Sequence, residues 1–397
     1  MITERWKVLV AIFVILSFSS GLGFYIQSIL VQGLIANGFS IELASSGISI
    51  FFLATGIAGL VIGKLIETVD VRVIFIVGAL VSASALLMIG RVSSALELYL
   101  AYMIFGVGYS ATSILPATTL ISRWFKKNQS RAMTIAMTGL SFGGLALTPL
   151  SASLLQEHGL SGAVDYLALL LLLGVVPITL MYLKSFPKED DPSLGANIHP
   201  MGIDYISALR HHFFWGLTMV YGLVMIAQVG SIAHQYGVLT ERLSVAEASF
   251  GVAIMPLFSI VGRLLGGLAL EFVSTIRLTI FMMMIQGLAL VVIGSAYSIL
   301  GLYGGLALFG LCIGNVLMLQ ALIISEVYGP KHYARLFSLS NMMMVCVFSL
   351  GPFLMGYLQS KTGNYSLAFW FVGFLCILGS MLLLFLRPPT QKVQSNL

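Results

Sequence analysis

The sequence predicts an all-α integral membrane fold of twelve transmembrane helices in two six-helix bundles. Three observations predict it: an apolar composition, long unbroken apolar runs, and one polar interruption near mid-chain. Of 397 residues, 58% are hydrophobic and 9% charged, with a mean hydropathy of +1.01. A soluble domain carries roughly 25% charged residues and must turn part of its surface to water. Lipid is therefore the solvent for most of this chain. Lipid offers the backbone no hydrogen-bond partner, so only helices or closed barrels can span it. Barrel strands alternate over about 10 residues, whereas these runs are continuous over about 20 residues or more, the length a spanning helix needs.

In chain order the runs place spans at roughly 7–33, 43–66, 72–90, 96–122, 130–154, 164–184, 213–239, 246–270, 277–295, 299–326, 334–358 and 366–386. The first run is longer than the core of a signal peptide, about 7–15 residues, and no small-residue cleavage site closes it. It reads as a spanning helix. Between the sixth and seventh runs stand Pro187, Lys188, Glu189, Asp190, Asp191, Pro192, His199 and Pro200, a polar, proline-punctuated linker. The expected organisation is an N-terminal bundle over 1–184, a cytoplasmic linker over 185–212 and a C-terminal bundle over 213–397.

Charge predicts orientation. With the N-terminus inside, one side receives Arg5, Lys7, Lys64, Arg72, Arg123, Lys126, Lys127, Arg131, Lys184, Lys188, Arg210, Arg277, Lys331, Arg335, Arg387 and Lys392. The other receives Arg91, Arg242 and Lys361, and Arg263 falls within a span. The rich side reads as cytoplasmic and carries both termini, in what we expect to be a bacterial inner membrane. The net charge of +5 follows from these loops and is no nucleic-acid signal. Three landmarks recur at a separation of 204 positions: Phe105-Gly106 as Phe309-Gly310, Gly63 and Glu67 as Gly267 and Glu271, Lys127 and Arg131 as Lys331 and Arg335. A duplicated six-helix unit with a substrate site at the repeat interface is an established transporter plan.

Chemistry-bearing motifs of enzymes are missing from the sequence. It has no P-loop, nucleophile constellation, HExxH or paired-Cys motif, so we expect neither an enzyme nor a cofactor, metal or direct ATP drive. Cys312, Cys346 and Cys376 each lie inside an apolar run and read as packing residues. The methionine clusters Met282–Met284 and Met342–Met344 read as adaptable packing.

The loop after the second span runs Gly63-Lys64-Leu65-Ile66-Glu67-Thr68-Val69-Asp70-Val71-Arg72. It resembles the Gly-x-Leu-x-Asp-Arg-x-Gly-Arg-Arg loop of the major facilitator superfamily. Gly63 and Leu65 fit, Glu67 stands for the acid and Arg72 keeps one base. In that reading the glycine allows close helix approach, and the acid and base form gating ion pairs, with Gly267, Glu271, Arg131 and Arg335 as counterparts. The stretch Arg123-Trp124-Phe125-Lys126-Lys127-Asn128-Gln129-Ser130-Arg131 leads to Gly139, Gly143, Gly144 and Pro149, and Gly351-Pro352 leads to Gly356 and Thr362-Gly363-Asn364-Tyr365. These resemble the monocarboxylate transporter and oxalate/formate exchanger branch.

Arg263 is the residue that lipid should exclude. It lies about seven residues inside the eighth span, roughly 10 Å along a helix, and a charge there must face protein or a water-filled cavity. Arginine does not shed its proton, and its fork of donors suits a carboxylate. In the resembled branch, an arginine in this helix followed four residues later by glycine binds the substrate carboxylate, and Arg263 with Gly267 reproduces that spacing. A bridge to Glu326 or Glu271, or snorkelling to the interface, are the competing roles. Two positions depart from the branch. Gln27 stands where the animal transporters have a lysine, and Ser259 where they have an aspartate. A second deep base is missing, which favours a monoanion over a dianion.

Further candidates are weaker. His234 suits proton handling, and Glu326 is a second titratable candidate. Gln27, Tyr109, Gln228, Asn315 and Gln320 are candidates to line a central cavity, with helix-to-helix bonding as their ordinary role. The expected function is secondary transport of a small organic monoanion by alternating access, acting as a monomer and with protons as a possible co-substrate. Arg263, Gln27, His234, Asn315 and Tyr109 would form the site. The alternatives are an exporter of amphipathic compounds, in which Arg263 gates, and a non-transporting membrane sensor or scaffold.

Overall fold

The computed structural model describes residues 4–125, 129–185, 203–329 and 332–389. The first pass is α1 (Glu4–Ser19), a π-helical stretch (Ser20–Tyr25) and α2 (Gln27–Ala36). The second and third are α3 (Ile41–Thr68) and α4 (Val71–Ile89); the fourth is α5 (Ala95–Thr112) with α6 (Ile114–Trp124). Next comes α7 (Gln129–Tyr182), then a short α8 (Tyr205–Arg210) and the seventh pass α9 (His212–Arg242). The eighth pass is α10 (Val245–Gly251) with α11 (Ile254–Ala269), followed by α12 (Thr275–Ser295) and α13 (Ile299–Tyr328). The eleventh is α14 (Tyr333–Phe348) with α15 (Leu350–Thr362), and α16 (Ser366–Phe385) is the twelfth.

Among the described residues, eleven stretches are long and apolar enough to span. One of them, Arg131–Tyr182, has 52 residues. At 1.5 Å per residue it would reach about 80 Å against a hydrocarbon core of about 30 Å. Gly159, at φ 65°, breaks it into the fifth and sixth passes, so the passes number twelve among the described residues. The polar linker holds more structure than its sequence suggests. Ile203 N donates to the Tyr328 carbonyl at 2.9 Å, and the Arg335 guanidinium lies 3.9 Å from the Tyr205 ring centroid. α8 is thereby fixed to the second bundle. Pro187, Lys188, Glu189, Asp190, Asp191, Pro192, His199 and Pro200 lie outside the described residues.

Four passes are broken, and in three of them the break precedes a proline. Proline lacks an N–H and its ring crowds the carbonyl four residues back. Pro116 follows the break at Ser113, Pro256 the break at Val252–Ala253, and Pro352 the break at Ser349. At the break before Pro352, Ser349 Oγ donates to Cys346 O at 3.0 Å. The first pass breaks without proline, through its π-helical turn, and there the Gln27 amide donates to Gly23 O at 2.7 Å.

The offset of 204 extends through the geometry. Helices α3, α4, α5 and α7 begin at Ile41, Val71, Ala95 and Gln129, and α10, α12, α13 and α14 begin 204 positions later, at Val245, Thr275, Ile299 and Tyr333. The N-caps Ser40, Asp70 and Ser94 correspond to Ser244, Ser274 and Ser298. Gly159 corresponds to Gly363, and both adopt positive φ. Such φ values cost an L side chain about 1–2 kcal/mol, which accounts for glycine at both turns. A Cβ at Gly106 would strike Phe51 O and Ala54; one at Gly310 would strike Met255 O and Phe258, the matching positions. Small residues let backbones meet in this way.

Not every landmark glycine is a contact. Gly63 has only Leu115 Cδ2 near its Cβ position, at 3.8 Å, and Gly267 has nothing within 4 Å. Close approach in the eighth pass falls instead to Gly262 and Gly266, against Leu311 and Asn315. Gly106→Val and Gly310→Val should each cost about 1–3 kcal/mol, as overpacking does, and lower the unfolding temperature in detergent. Gly304→Ala, at a position with nothing within 4 Å, should not lower it. Equal losses at all three positions would refute the seam assignment.

Candidate functional site

The bundles meet most extensively at the membrane face opposite the linker. Their contacts there join α2 to α9 and α3 to α15. Ser45 and His234 stand 3.3 Å apart, and the Ser49 hydroxyl accepts from Phe353 N at 3.3 Å. The Gln156 amide donates to Tyr236 at 3.3 Å and to Ser249 at 2.6 Å. His234 lies within this seam, 1% exposed. Its Nε2 is 3.0 Å from Pro352 O, and its Nδ1 is 3.2 Å from the Tyr365 hydroxyl. The carbonyl only accepts, so Nε2 carries the proton and Nδ1 accepts from Tyr365. Deeper in the interface, aromatic rings replace polar contacts: Phe52 packs on Phe348 at 5.6 Å between centroids.

Arg263 occupies the crossing of α11 with α7. Its guanidinium donates to the Met137 carbonyl across the bundle interface, while its buried Nε has no hydrogen-bond partner. One turn on along α7 and one turn back along α11, Ser141 and Ser259 are 3.1 Å apart and fully buried. Tyr25, from the π-helical turn, lies beside Ser141 and Arg263. The charge thus meets a carbonyl and hydroxyls. Glu271 is exposed in the turn after α11. Glu326 is also exposed and accepts from the Thr275 hydroxyl at 2.6 Å.

Three of the four amide candidates, Gln27, Asn315 and Gln320, donate hydrogen bonds while their oxygens have no partner. Asn315 donates to Gly262 O at 2.7 Å and to Leu311 O at 3.1 Å, which places it beside the residue preceding Arg263. Its Oδ1 is buried without a partner, as are the Oε1 atoms of Gln27, Gln228 and Gln320. Gln320 donates to Ser340 at 3.0 Å. Tyr109 packs its ring 5.2 Å from Phe51, under Gly23. Arg263, Asn315 and Tyr25 are therefore drawn to one region, whereas His234 belongs to the seam on the far face. Tyr25 escaped the sequence reading because a tyrosine in an apolar run has no motif; the glycines that flank it, Gly21 and Gly23, were the available signal. Ser141 and Ser259 are ordinary span serines until the helices cross.

At the linker face Arg72 pairs with Asp70, at 2.7 Å. Asp70 caps α4 by accepting from Arg72 N at 2.9 Å, and it accepts from the Ser185 hydroxyl at 2.6 Å. The cap geometry explains the pairing, since the N-cap carboxylate already points at the first turn. The side chain of Glu67 and the residues Lys126, Lys127 and Lys331 lie outside the described residues. Arg123 donates to Ile66 O at 2.8 Å, tying the fourth pass to the second. Arg131 is exposed, and Arg335 sits over Tyr205.

Three comparisons bear on this arrangement. The sequence profile of the Major Facilitator Superfamily matches residues 13–241 and again 213–397. Monocarboxylate transporter 13 of Bos taurus is 27% identical over 335 residues, which cover 80% of this chain and 75% of that protein. The MFS-type transporter pynF of Aspergillus niger is 25% identical over 356 residues, covering 87% and 78%. A bacterial homologue of the human lysosomal transporter Spinster, solved in an inward-facing, occupied conformation, superposes with a TM-score of 0.72. It is 16% identical, with 97% of this chain and 95% of that one covered.

The Asp70 carboxyl lies well below the usual carboxylate range, held there first by its bond with Arg72. A depressed folded-state value stabilises the fold above the unfolded pKa, about 4. That stability is lost progressively as pH falls from there through the lower folded value. The pair is part-exposed, so its contribution is about 1 kcal/mol or less. Asp70→Asn should lower thermal stability slightly and by the same amount at pH 7 and pH 5. The difference should shrink below about pH 4, and a difference unchanged at pH 3 would show that the carboxyl is not held below its usual range.

Proposed function

The chain belongs to the Major Facilitator Superfamily, a membrane transporter without enzymatic chemistry, and from that premise we propose that it moves a small organic monoanion by alternating access. The substrate class is monocarboxylate-like, in keeping with the relatives named monocarboxylate transporters. The observation that carries the reading is Arg263 itself. It is a permanent cation between the bundles, with a buried Nε donor unpaired and a neutral carbonyl as its hydrogen-bond partner. A buried donor without an acceptor is costly, and a carboxylate supplies two acceptors in the geometry of the guanidinium fork. Tyr109 and the unpaired oxygens of Gln27 and Asn315 face the remaining groups of the substrate in this proposal, and His234 holds the seam that must open to the far face. The units that rock are 1–184 and 213–397, and the arginine- and lysine-rich linker face is the cytoplasmic face of a bacterial inner membrane.

A second reading, export of amphipathic compounds, is favoured by the aromatic seam of Phe52 and Phe348. Uptake of labelled lactate into proteoliposomes separates the two. Wild-type protein should take up lactate in a saturable manner. Removing one side of a buried charged hydrogen bond costs about 2–5 kcal/mol, so Arg263→Ala should lower kcat/KM by about 30-fold or more. Equal lactate uptake by Arg263→Ala would sink the binding assignment. Transport restricted to lipophilic or cationic compounds would establish the exporter.

A further inference from the structure

Met137 and Ser141 stand one turn apart on α7, and Ser259 and Arg263 one turn apart on α11. Residues four apart share a helix face, so the two helices meet through two rungs. One rung is the Arg263 guanidinium on the Met137 carbonyl, and the other is the Ser141–Ser259 pair at 3.1 Å. α7 belongs to the first bundle and α11 to the second. The acids flanking Arg263 along its own pass are Glu247 and Glu271, at the two ends of that pass. Among the described residues no acid forms an ion pair with Arg263, so the unloaded guanidinium is held by a dipole.

A carboxylate accepts from a guanidinium about twice as strongly as a neutral carbonyl does. We propose that the two rungs form a latch between the unloaded bundles, and that a substrate carboxylate opens it by drawing the Arg263 guanidinium off the Met137 carbonyl. Ser141 and Ser259 are positioning residues of that latch. The inference rests on the anion-transport reading and adds to it a reason why occupancy and movement are linked. The empty carrier keeps its latch and an unneutralised charge, and it reorients slowly. The loaded carrier has its charge paired and its latch released. Exchange of anion for anion, in which the carrier crosses loaded in both directions, therefore outruns net movement.

Efflux of labelled lactate from proteoliposomes tests this, measured into buffer with and without unlabelled lactate. For the wild type, outside lactate should accelerate efflux by about tenfold or more, the worth of a charge-assisted hydrogen bond. Ser141→Ala and Ser259→Ala should each speed efflux into lactate-free buffer and shrink that ratio by about two- to tenfold, the worth of a neutral bond. The exchange rate itself should not change. Because both variants lose the same bond, adding Ser259→Ala to Ser141→Ala should have no further effect, and Ser259→Thr should keep the wild-type ratio. A wild-type ratio near one, additive serine effects or an unmoved ratio overturns the latch and leaves anion transport standing. Absence of lactate flux in either mode overturns the anion reading and the latch with it.

Discussion

Lipid cannot hydrogen-bond, so a charge or a backbone break within a span needs a partner inside the protein. Arg242 shows how far that requirement reaches. Its side chain is nearly buried and donates to Ile293 O and Ala296 O at 2.7 Å each, and to Gly294 O at 3.3 Å. It thereby satisfies carbonyls that the end of α12 leaves open, and it reaches Ser366 at the start of α16. A charge that the sequence assigns only to a loop is thus the joint of three passes. The same rule governs the π-helical turn of the first pass, where Gln27 closes Gly23 O. That bond lets Tyr25 sit on an irregular stretch inside the bilayer, and π-helical turns recur at functional positions for this reason.

The fold was legible because its signals are long. Runs of about 20 apolar residues, a single polar linker and a repeated offset each draw on many residues. The break at Gly159 was legible too, since a polar turn stood between two runs. The site was legible only where a residue violated its environment. Arg263 is the one base inside a span, and lipid makes that visible. Asp70 was passed over because a motif fixes an acid by its place in the chain, whereas a cap fixes it by backbone geometry. Tyr25, Ser141 and Ser259 carry no cost in a span, so nothing in the sequence sets them apart. Their meeting depends on where α7 crosses α11, which is a property of packing.

The repeat also shows why a charge can stand at position 263. Subtracting the offset of 204 places Arg263 on Gly59 and Gly314 on Ser110. In the first bundle a Cβ at Gly59 would have Ser110 Oγ at 3.6 Å. In the second the sizes are reversed. A Cβ at Gly314 would meet Arg263 Cγ at 2.6 Å and Nε at 3.0 Å. The small residue has moved to the tenth pass, and the space it vacates holds the stem of the arginine. The neighbouring position diverges in step. Thr55 bonds within its own bundle, to Phe51 O at 2.7 Å and Gly106 O at 3.1 Å, whereas its counterpart Ser259 turns to Ser141 of the other bundle. One face of the repeat is thus given over to holding its own helices together, and the matching face to the interface between bundles. A duplicated scaffold acquires a single charged site only where its two copies differ, and here the difference is an exchange of glycine and side chain between two packed helices.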